Sequence, residues 1–394
     1  MFENLEALPA DAILRLIAEY NGDTRDDKID LGVGVYRTAE GETPVLASVK
    51  EAEQRLVRDQ ASKTYVGSGG SPAFNAAMQS LLFGGAGEQS DRIVTLQTPG
   101  GSGSLRVAAG LILRARPDVR VWASDPTWAN HVPLLAGAGI RLESYPYYRR
   151  GEPGVRFDAM LETLLRVPRG DIVLLHGCCH NPTGMDLNVE QWRDTAGVIA
   201  ERELLPFIDL AYQGFAAGIE EDAFAIRHLF ERVPEMIVSA SCSKNFGLYR
   251  DRVGSLSLVS SDAAGAATVR SQAFNVVRTM YSMPPDHGAA VVALILEDAD
   301  LQAQWLAELA AMRERLRDMR LLLRDALRDA APGHDFSHIV TATGMFSFLG
   351  LSPDQVARLK SEFGIYMVDS SRINVAGITR ANVGYLAESI AAVL

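Results

Sequence analysis

Asp171-Ile172-Val173-Leu174-Leu175-His176, Leu205-Pro206-Phe207-Ile208-Asp209 and Met236-Ile237-Val238-Ser239-Ala240-Ser241-Cys242-Ser243-Lys244 follow one pattern, a short apolar run that ends in polar side chains. Such runs are too short for buried helices and nearly continuous in hydrophobicity, as strands covered on both faces are. Ile93-Val94-Thr95-Leu96, Val119-Arg120-Val121-Trp122-Ala123 and Ser255-Leu256-Ser257-Leu258-Val259 extend the series on either side. Helical patterns separate them at Ser104 to Ala115, His131 to Gly137 and Leu187 to Arg202. This alternation over residues 92–260 predicts an α/β fold, a mostly parallel sheet with helices on both faces. In open sheets of this kind ligands bind at the carboxyl ends of the strands. The polar residues that close each run are where chemistry is expected.

Outward from this core, residues 1–12, with Pro9, read as an arm, and Ile13 to Tyr20 as a short helix. Ile29 to Tyr36 reads as extended, with Gly32 and Gly34 permitting close approach of another group. Helices are expected from Pro44 through Val45, Val49, Ala52 and Leu56, with proline in the first turn, and from Pro72 to Leu82. Past residue 261 the pattern is helical. Leu301 to Ala330 carries apolar residues at Leu306, Leu309, Met312, Leu316, Met319 and Leu323. About thirty helical residues span about 45 Å, a length that suits a connector. Phe336 to Phe348 and Ile365 to Val375 read as strands, and Pro353 to Phe363 and Arg380 to Leu394 as helices. This tail is expected to form a smaller α+β unit completed by residues near the N-terminus.

Composition narrows the function classes. With 394 residues, 47 % hydrophobic and 22 % charged, the chain is an ordered globular protein large enough for two domains. A net charge of −11 offers no basic stripe for phosphate backbones, so no nucleic-acid partner is expected. No apolar run approaches the roughly 20 residues that span a bilayer, and Met1-Phe2-Glu3-Asn4-Leu5-Glu6 has no signal-peptide pattern. Three cysteines, two adjacent, make no disulfide framework. The expectation is a cytoplasmic enzyme with no membrane partner.

Lysine occurs only at Lys28, Lys50, Lys63, Lys244 and Lys360; arginine serves elsewhere as the cation. Guanidinium stays protonated, whereas a buried ammonium can lose its proton. Lys244, just past a strand among hydroxyl side chains, is therefore a candidate nucleophilic amine, with a surface or ion-pairing lysine as the plain alternative. Asp209, at the end of its run, could cap a helix, pair with an arginine or hold a ring nitrogen protonated. Thr98-Pro99-Gly100-Gly101-Ser102-Gly103-Ser104 places small residues between strand and helix, where free N–H groups suit a phosphate; it matches neither a Walker loop nor a dinucleotide fingerprint. Trp128, at another strand end, either stacks on a flat cofactor or fills the core. His176-Gly177-Cys178-Cys179-His180-Asn181-Pro182-Thr183-Gly184 lacks the ligand spacing of common zinc sites, and no metal is expected. An amine, a carboxylate for a ring nitrogen, a phosphate cradle and a stacking aromatic together meet the requirements of pyridoxal phosphate.

Six blocks in order carry a family resemblance. They are His176 to Gly184, Asp209 to Phe215, Ser239 to Gly254, Tyr281 to Gly288, Gly344-Met345-Phe346-Ser347 and Ser371 to Gly377. Over essentially its full length the chain resembles the aspartate and aromatic aminotransferases of the pyridoxal-phosphate fold type I group. The resemblance implies a large cofactor domain over residues 45–310 around a seven-stranded, mostly parallel sheet. It also implies a smaller α+β domain from residues 13–44 and 311–394. Lys244 would be the Schiff-base lysine and the acid/base at Cα, Asp209 the partner of the pyridine nitrogen, and Tyr212 and Asn181 partners of the ring hydroxyl. Trp128 would stack on the ring, with His131 and His176 near Asp209. Gly101, Ser102, Ser241 and Arg252 would hold the phosphate, joined by Tyr65 from a neighbouring subunit. Arg372 would grip the substrate α-carboxylate as a bidentate fork, Arg278 of the neighbouring subunit the distal carboxylate, and Gly34 would close over the substrate. A homodimer with shared active sites follows from that arrangement.

Two positions depart from the pattern of aspartate-specific members. Ser102 stands where threonine is usual and Met283 where asparagine is usual. The resemblance then implies transamination between aromatic amino acids or aspartate and 2-oxoglutarate, with an aspartate enzyme of little aromatic activity as the alternative.

Overall fold

The computed structural model describes residues 1–7, 11–85, 87–149 and 154–394; Pro9 of the expected arm lies outside them. Among the described residues the strands are β1 (Ile29–Asp30), β2 (Ile93–Pro99), β3 (Arg120–Asp125), β4 (Arg141–Pro146), β5 (Ile172–His176), β6 (Leu205–Leu210), β7 (Met236–Ser241), β8 (Val253–Val259), β9 (Phe346–Phe348), β10 (Ile365–Tyr366) and β11 (Arg372–Asn374). Seven of them form one sheet in the order β2-β8-β7-β6-β5-β3-β4, in which only β8 runs against its neighbours. Alternate residues of the central strands enter two separate cores. Ile172, Leu174, Phe207 and Ile237 pack with Leu105, Ala108 and Ile112 on one side. Val173, Leu175, Ile208 and Val238 pack with Trp192 and Ile199 on the other. Burial on both faces is why these runs are apolar throughout rather than every second residue.

The six apolar runs are all strands of this sheet. The seventh, β4, has no such run because it is mostly exposed, with only Tyr145 buried. Its phenol donates to the Leu174 carbonyl at 2.9 Å. The other edge strand, β2, is mostly buried and does carry an apolar run, so exposure and not edge position is what hid β4.

Several expected boundaries move. The helix after β2 starts at Gly100 rather than Ser104, because its first turn is made of small residues that carry no helical periodicity. The helix expected from Pro44 starts at Ala47, where the Glu308 carboxylate accepts from the Ala47 and Ser48 N–H groups. That cap comes from 260 residues away and leaves no local signal. The long helix spans Ala299–Ala330, with the Asp298 side chain accepting from Asp300 and Leu301 N–H. Its buried stripe runs through Trp305 rather than Leu306, which is exposed. Of the expected strand Phe336 to Phe348, His338–Thr341 is helical and only β9 is extended. The expected strand Ile365 to Val375 is β10 and β11, divided by a turn that ends at Ser371 with φ +65°.

The smaller α+β unit joins the two ends of the chain. β1 pairs in parallel with β10, and β9 pairs antiparallel with β11. Helix Pro353–Phe363, opened by a Ser352/Gln355 capping box, packs against β10, and Val383–Val393 packs against that helix and the long one. Among the described residues no helix is long and apolar enough to cross a membrane.

Candidate active site

Strand register brings the polar run ends together. His176 lies opposite Asp209 across β5 and β6, and Asp209 opposite Ser239 across β6 and β7. Ser241 lies opposite Gly254, which also faces Thr98 of β2. At this edge the start of the helix Gly100–Ala115 meets β7, and together they bound a cavity of about 170 Å³. Its lining includes Gly34, Gly101, Ser102, Trp128, Asn181, Asp209, Tyr212, Ser241, Lys244 and Arg252, ten of the thirteen residues expected at the site.

At the floor, Asp209 is buried and His131 Nε2 lies 3.0 Å from its Oδ2. His131 Nδ1 is 2.8 Å from Thr127 Oγ1, which is 3.2 Å from His176 Nε2. Burial pushes the Asp209 carboxyl up, but the hydrogen bond to His131 and the charges of His131, His176 and Lys244 outweigh it and hold it below the usual range. His176 is held well below the usual imidazole value, first by burial and then by His180 and His131. The floor therefore presents a carboxylate that keeps its charge in a dry place, oriented by neighbouring rings. Trp128 stands edge-on to His131, ring centroids 5.2 Å apart, and faces the cavity.

Lys244 lies three residues beyond β7, in a turn closed by Gly247 N–H on its carbonyl at 3.1 Å. Its Nζ is 5.1 Å from the centroid of the Tyr212 ring, with no hydrogen bond among the described residues. Burial lowers its pKa to about 8, against the pull of Asp209 and with the help of Arg252. The Tyr212 phenol is raised by burial and stays protonated.

At the opposite end the helix from Gly100 has no side-chain cap, and Gly100 sits at φ +69°. A Cβ there would lie 2.6 Å from Arg252 Nη2, so the uncapped helix start and a guanidinium share one corner. Arg252 Nη1 donates to Ser243 Oγ at 3.2 Å and to the Tyr249 carbonyl at 3.3 Å, and no carboxylate pairs with it among the described residues. This corner is built for an anion.

Arg372, on β11, is not itself among the lining residues and meets the cavity through Asn181, which is. It donates to the Gly32 carbonyl at 2.8 Å and to Asn181 Oδ1 at 3.4 Å, while its buried Nε has no partner. Its guanidinium lies 4.3 Å over the Phe346 ring. Gly34 touches the same ring; a Cβ there would lie 2.9 Å from Phe346 Cζ.

A profile described as "Aminotransferase class I and II" matches residues 26–390. The chain is 47 % identical over its whole length to the "Aromatic-amino-acid aminotransferase" of Pseudomonas aeruginosa, covering 98 % of that protein. It is also 47 % identical to the "Aspartate aminotransferase" of Escherichia coli, each covered completely. A crystal structure of the aromatic-amino-acid aminotransferase from Burkholderia pseudomallei, covalently bound to pyridoxal phosphate, superposes with a TM-score of 0.97 at 44 % identity, covering 100 % of this chain and 99 % of that one. The chain belongs to the class I and II aminotransferases.

This aminotransferase is pyridoxal-phosphate-dependent, and its cavity fits that group at both ends. The anion corner at Gly100 and Arg252 matches a phosphate, and the charged, buried Asp209 matches a protonated ring nitrogen. Two aminotransferase residues escaped the reading of the sequence. Ser243 touches Arg252 and Ser241, and its signal was the alternation Ser239, Ser241, Ser243, which sets hydroxyls on one side of an extended chain. Tyr249 accepts the Tyr36 N–H at 2.8 Å and ties the Gly32 to Tyr36 segment to the lysine stretch; nothing local announces that contact. Tyr65 and Arg278 do not line the cavity. Both are exposed, and Arg278 in the last turn of Ala263–Met280 bonds the Ser282 hydroxyl.

Proposed function

We propose that this aminotransferase moves the amino group of aromatic L-amino acids, and of aspartate, to 2-oxoglutarate, giving the 2-oxo acid and L-glutamate. The observation that carries this reading is Arg278. Its guanidinium is exposed, has no carboxylate partner among the described residues, and is followed by the half-buried apolar Met283. A free guanidinium suits a distal carboxylate, and an apolar neighbour in place of an amide suits a ring. Similarity to proteins named for aromatic amino acids and to proteins named for aspartate supports both halves.

The roles follow from the geometry. When bound, pyridoxal 5′-phosphate supplies an aldehyde for the amine and a ring that absorbs electrons. Lys244, with a pKa near 8, has a neutral fraction at pH 7 able to take the proton of the substrate Cα and return it. Asp209 keeps a charge at the floor, oriented by His131, and so holds a ring nitrogen protonated. Tyr212 donates from a phenol that stays protonated, and Asn181 offers its amide from the lining of the same cavity. Trp128 covers the ring. Gly101, Ser102, Ser241 and Arg252 bind the phosphate at the helix start. Arg372, whose Nε lacks a partner, binds the α-carboxylate, and Gly34 lets the Gly32 to Tyr36 segment approach it.

Arg278 and Tyr65 stand apart from the cavity of their own chain, which supports a homodimer in which each serves the site of the other subunit. The pairing of β1 with β10 supports a small domain of residues 13–44 and 311–394 against a cofactor domain of 45–310, with 1–12 as an arm. The cytoplasm is the proposed location. Transamination assays with aspartate, tyrosine and phenylalanine against 2-oxoglutarate test the substrate reading. Aromatic kcat/KM below about a thousandth of that for aspartate, roughly 4 kcal/mol, leaves an aspartate aminotransferase, the reading that the retained Arg278 would then favour.

A further inference from the structure

Arg320, on the long helix, is 3 % exposed, and no carboxylate pairs with it among the described residues. Its guanidinium is spent on main-chain carbonyls. Nη1 donates to Ile339 at 2.9 Å, and Nη2 lies 3.0, 2.9 and 2.7 Å from the carbonyls of Thr343, Gly344 and Phe346. Burial lowers its pKa to about 10, the mark of a cation held against its solvation. A buried unpaired charge is a poor way to stabilise a helix, so what it holds is the informative part.

The held segment leaves the helix His338–Thr341, turns at Gly344 with φ +69° and enters β9 at Phe346. It is pressed against the Asn181 to Gly184 turn. The Thr343 N–H donates to the Gly184 carbonyl at 2.7 Å, and a Cβ on Gly184 would lie 2.3 Å from the Phe346 carbonyl. Phe346 in turn carries the Arg372 guanidinium on its ring face and meets the Tyr212 ring edge-on at 5.9 Å.

We infer that Arg320 is a positioning residue for substrate binding: by gathering the carbonyls of 339–346 it fixes Phe346, and through that ring it fixes the fork of Arg372. The inference rests on the reading of Arg372 as the grip on the α-carboxylate. A guanidinium has direction as well as charge, and a displacement near 1 Å at a binding group costs about a hundredfold at the extreme. Arg320 therefore acts on every substrate alike, because all carry an α-carboxylate. Arg278 acts on dicarboxylates only.

The test uses the holoenzyme with Arg320→Met and Arg320→Lys. KM and kcat are measured for aspartate, phenylalanine and 2-oxoglutarate, and the Kd of 3-phenylpropionate, a carboxylate without an amine, by calorimetry. Arg320→Met is expected to raise all three KM values and the Kd about tenfold, with kcat within about threefold, and Arg320→Lys to recover part of the loss. Wild-type KM and Kd in Arg320→Met, or a fall in kcat alone, overturn the inference. If Arg320→Met does not fold, Arg320→Lys decides: a uniform rise in KM of about threefold supports positioning, and wild-type values refute it. Arg372→Ala is the control. If it leaves KM and Kd unchanged, the reading of Arg372 is wrong and the inference falls with it; if it raises them while the Arg320 variants do not, only the inference fails.

Discussion

Asp209, at the cavity floor, and Arg278, at the end of Ala263–Met280, are both charged residues assigned to a substrate or cofactor, yet they are held by opposite means. Asp209 ends a strand with hydrogen-bonded strands on both sides, is 7 % exposed, and is oriented by His131 within a network through Thr127 to His176. Arg278 is exposed, touches one hydroxyl, and stays outside the cavity formed by its own chain. The floor is preorganised: its dipoles and charge are in place before anything binds, which is where electrostatic catalysis draws its strength. The Arg278 segment leaves its cation solvated and free, which suits a group that selects among substrates. In the proposed reading, chemistry is built into the sheet and specificity hangs from a helix end.

The sharpest way to break this contrast is Lys244→Met, which removes the amine and keeps the stem. Turnover with any substrate should fall about ten-thousandfold, and retained turnover would detach the cavity from the chemistry. Next comes Arg278→Ala. It should lower kcat/KM for aspartate about a hundredfold while leaving phenylalanine within about threefold; equal losses would place Arg278 in the common machinery instead.

The smallest effect is on stability. The native pKa of Lys244, about 8, lies below its unaltered value of 10.5, so between these values the unfolded chain binds the extra proton and wild-type stability rises with pH. The penalty for the buried ammonium is complete below pH 8 and gone above 10.5. In the cofactor-free protein Lys244→Met should gain about 1–3 kcal/mol at pH 7, a figure reduced for the partial exposure of the side chain. Thermal melts should show the gain vanish by pH 10.5. A gain that does not change with pH would place the ammonium in solvent.

Much of the molecule was legible in order along the chain because it is local. Six apolar runs ending in polar residues marked six of the seven sheet strands, and Lys244, Asp209, Trp128 and the glycines at 100 and 101 all sit at those ends. The strand β4 was illegible because an exposed strand needs no apolar run, and the start of the helix at Ala47 because its cap is Glu308. Arg320 sits four residues after Leu316 and three before Leu323, so helical spacing set it on the buried stripe, but its carbonyl partners at 339–346 left no local signal.

The sequence by itself determined six of the seven sheet strands, the residue types of the chemistry and the family to which they belong, since apolar periodicity and strand-end chemistry are short-range properties. Tertiary structure alone decided which of these residues share one cavity. Register set His176, Asp209 and Ser239 in a row, and helix and loop packing brought Gly34, Phe346 and Arg372 to the same place from opposite ends of the chain. It also decided that Asp209 keeps its charge while Lys244 is eased toward losing its own, because protonation depends on burial and on neighbours remote in sequence.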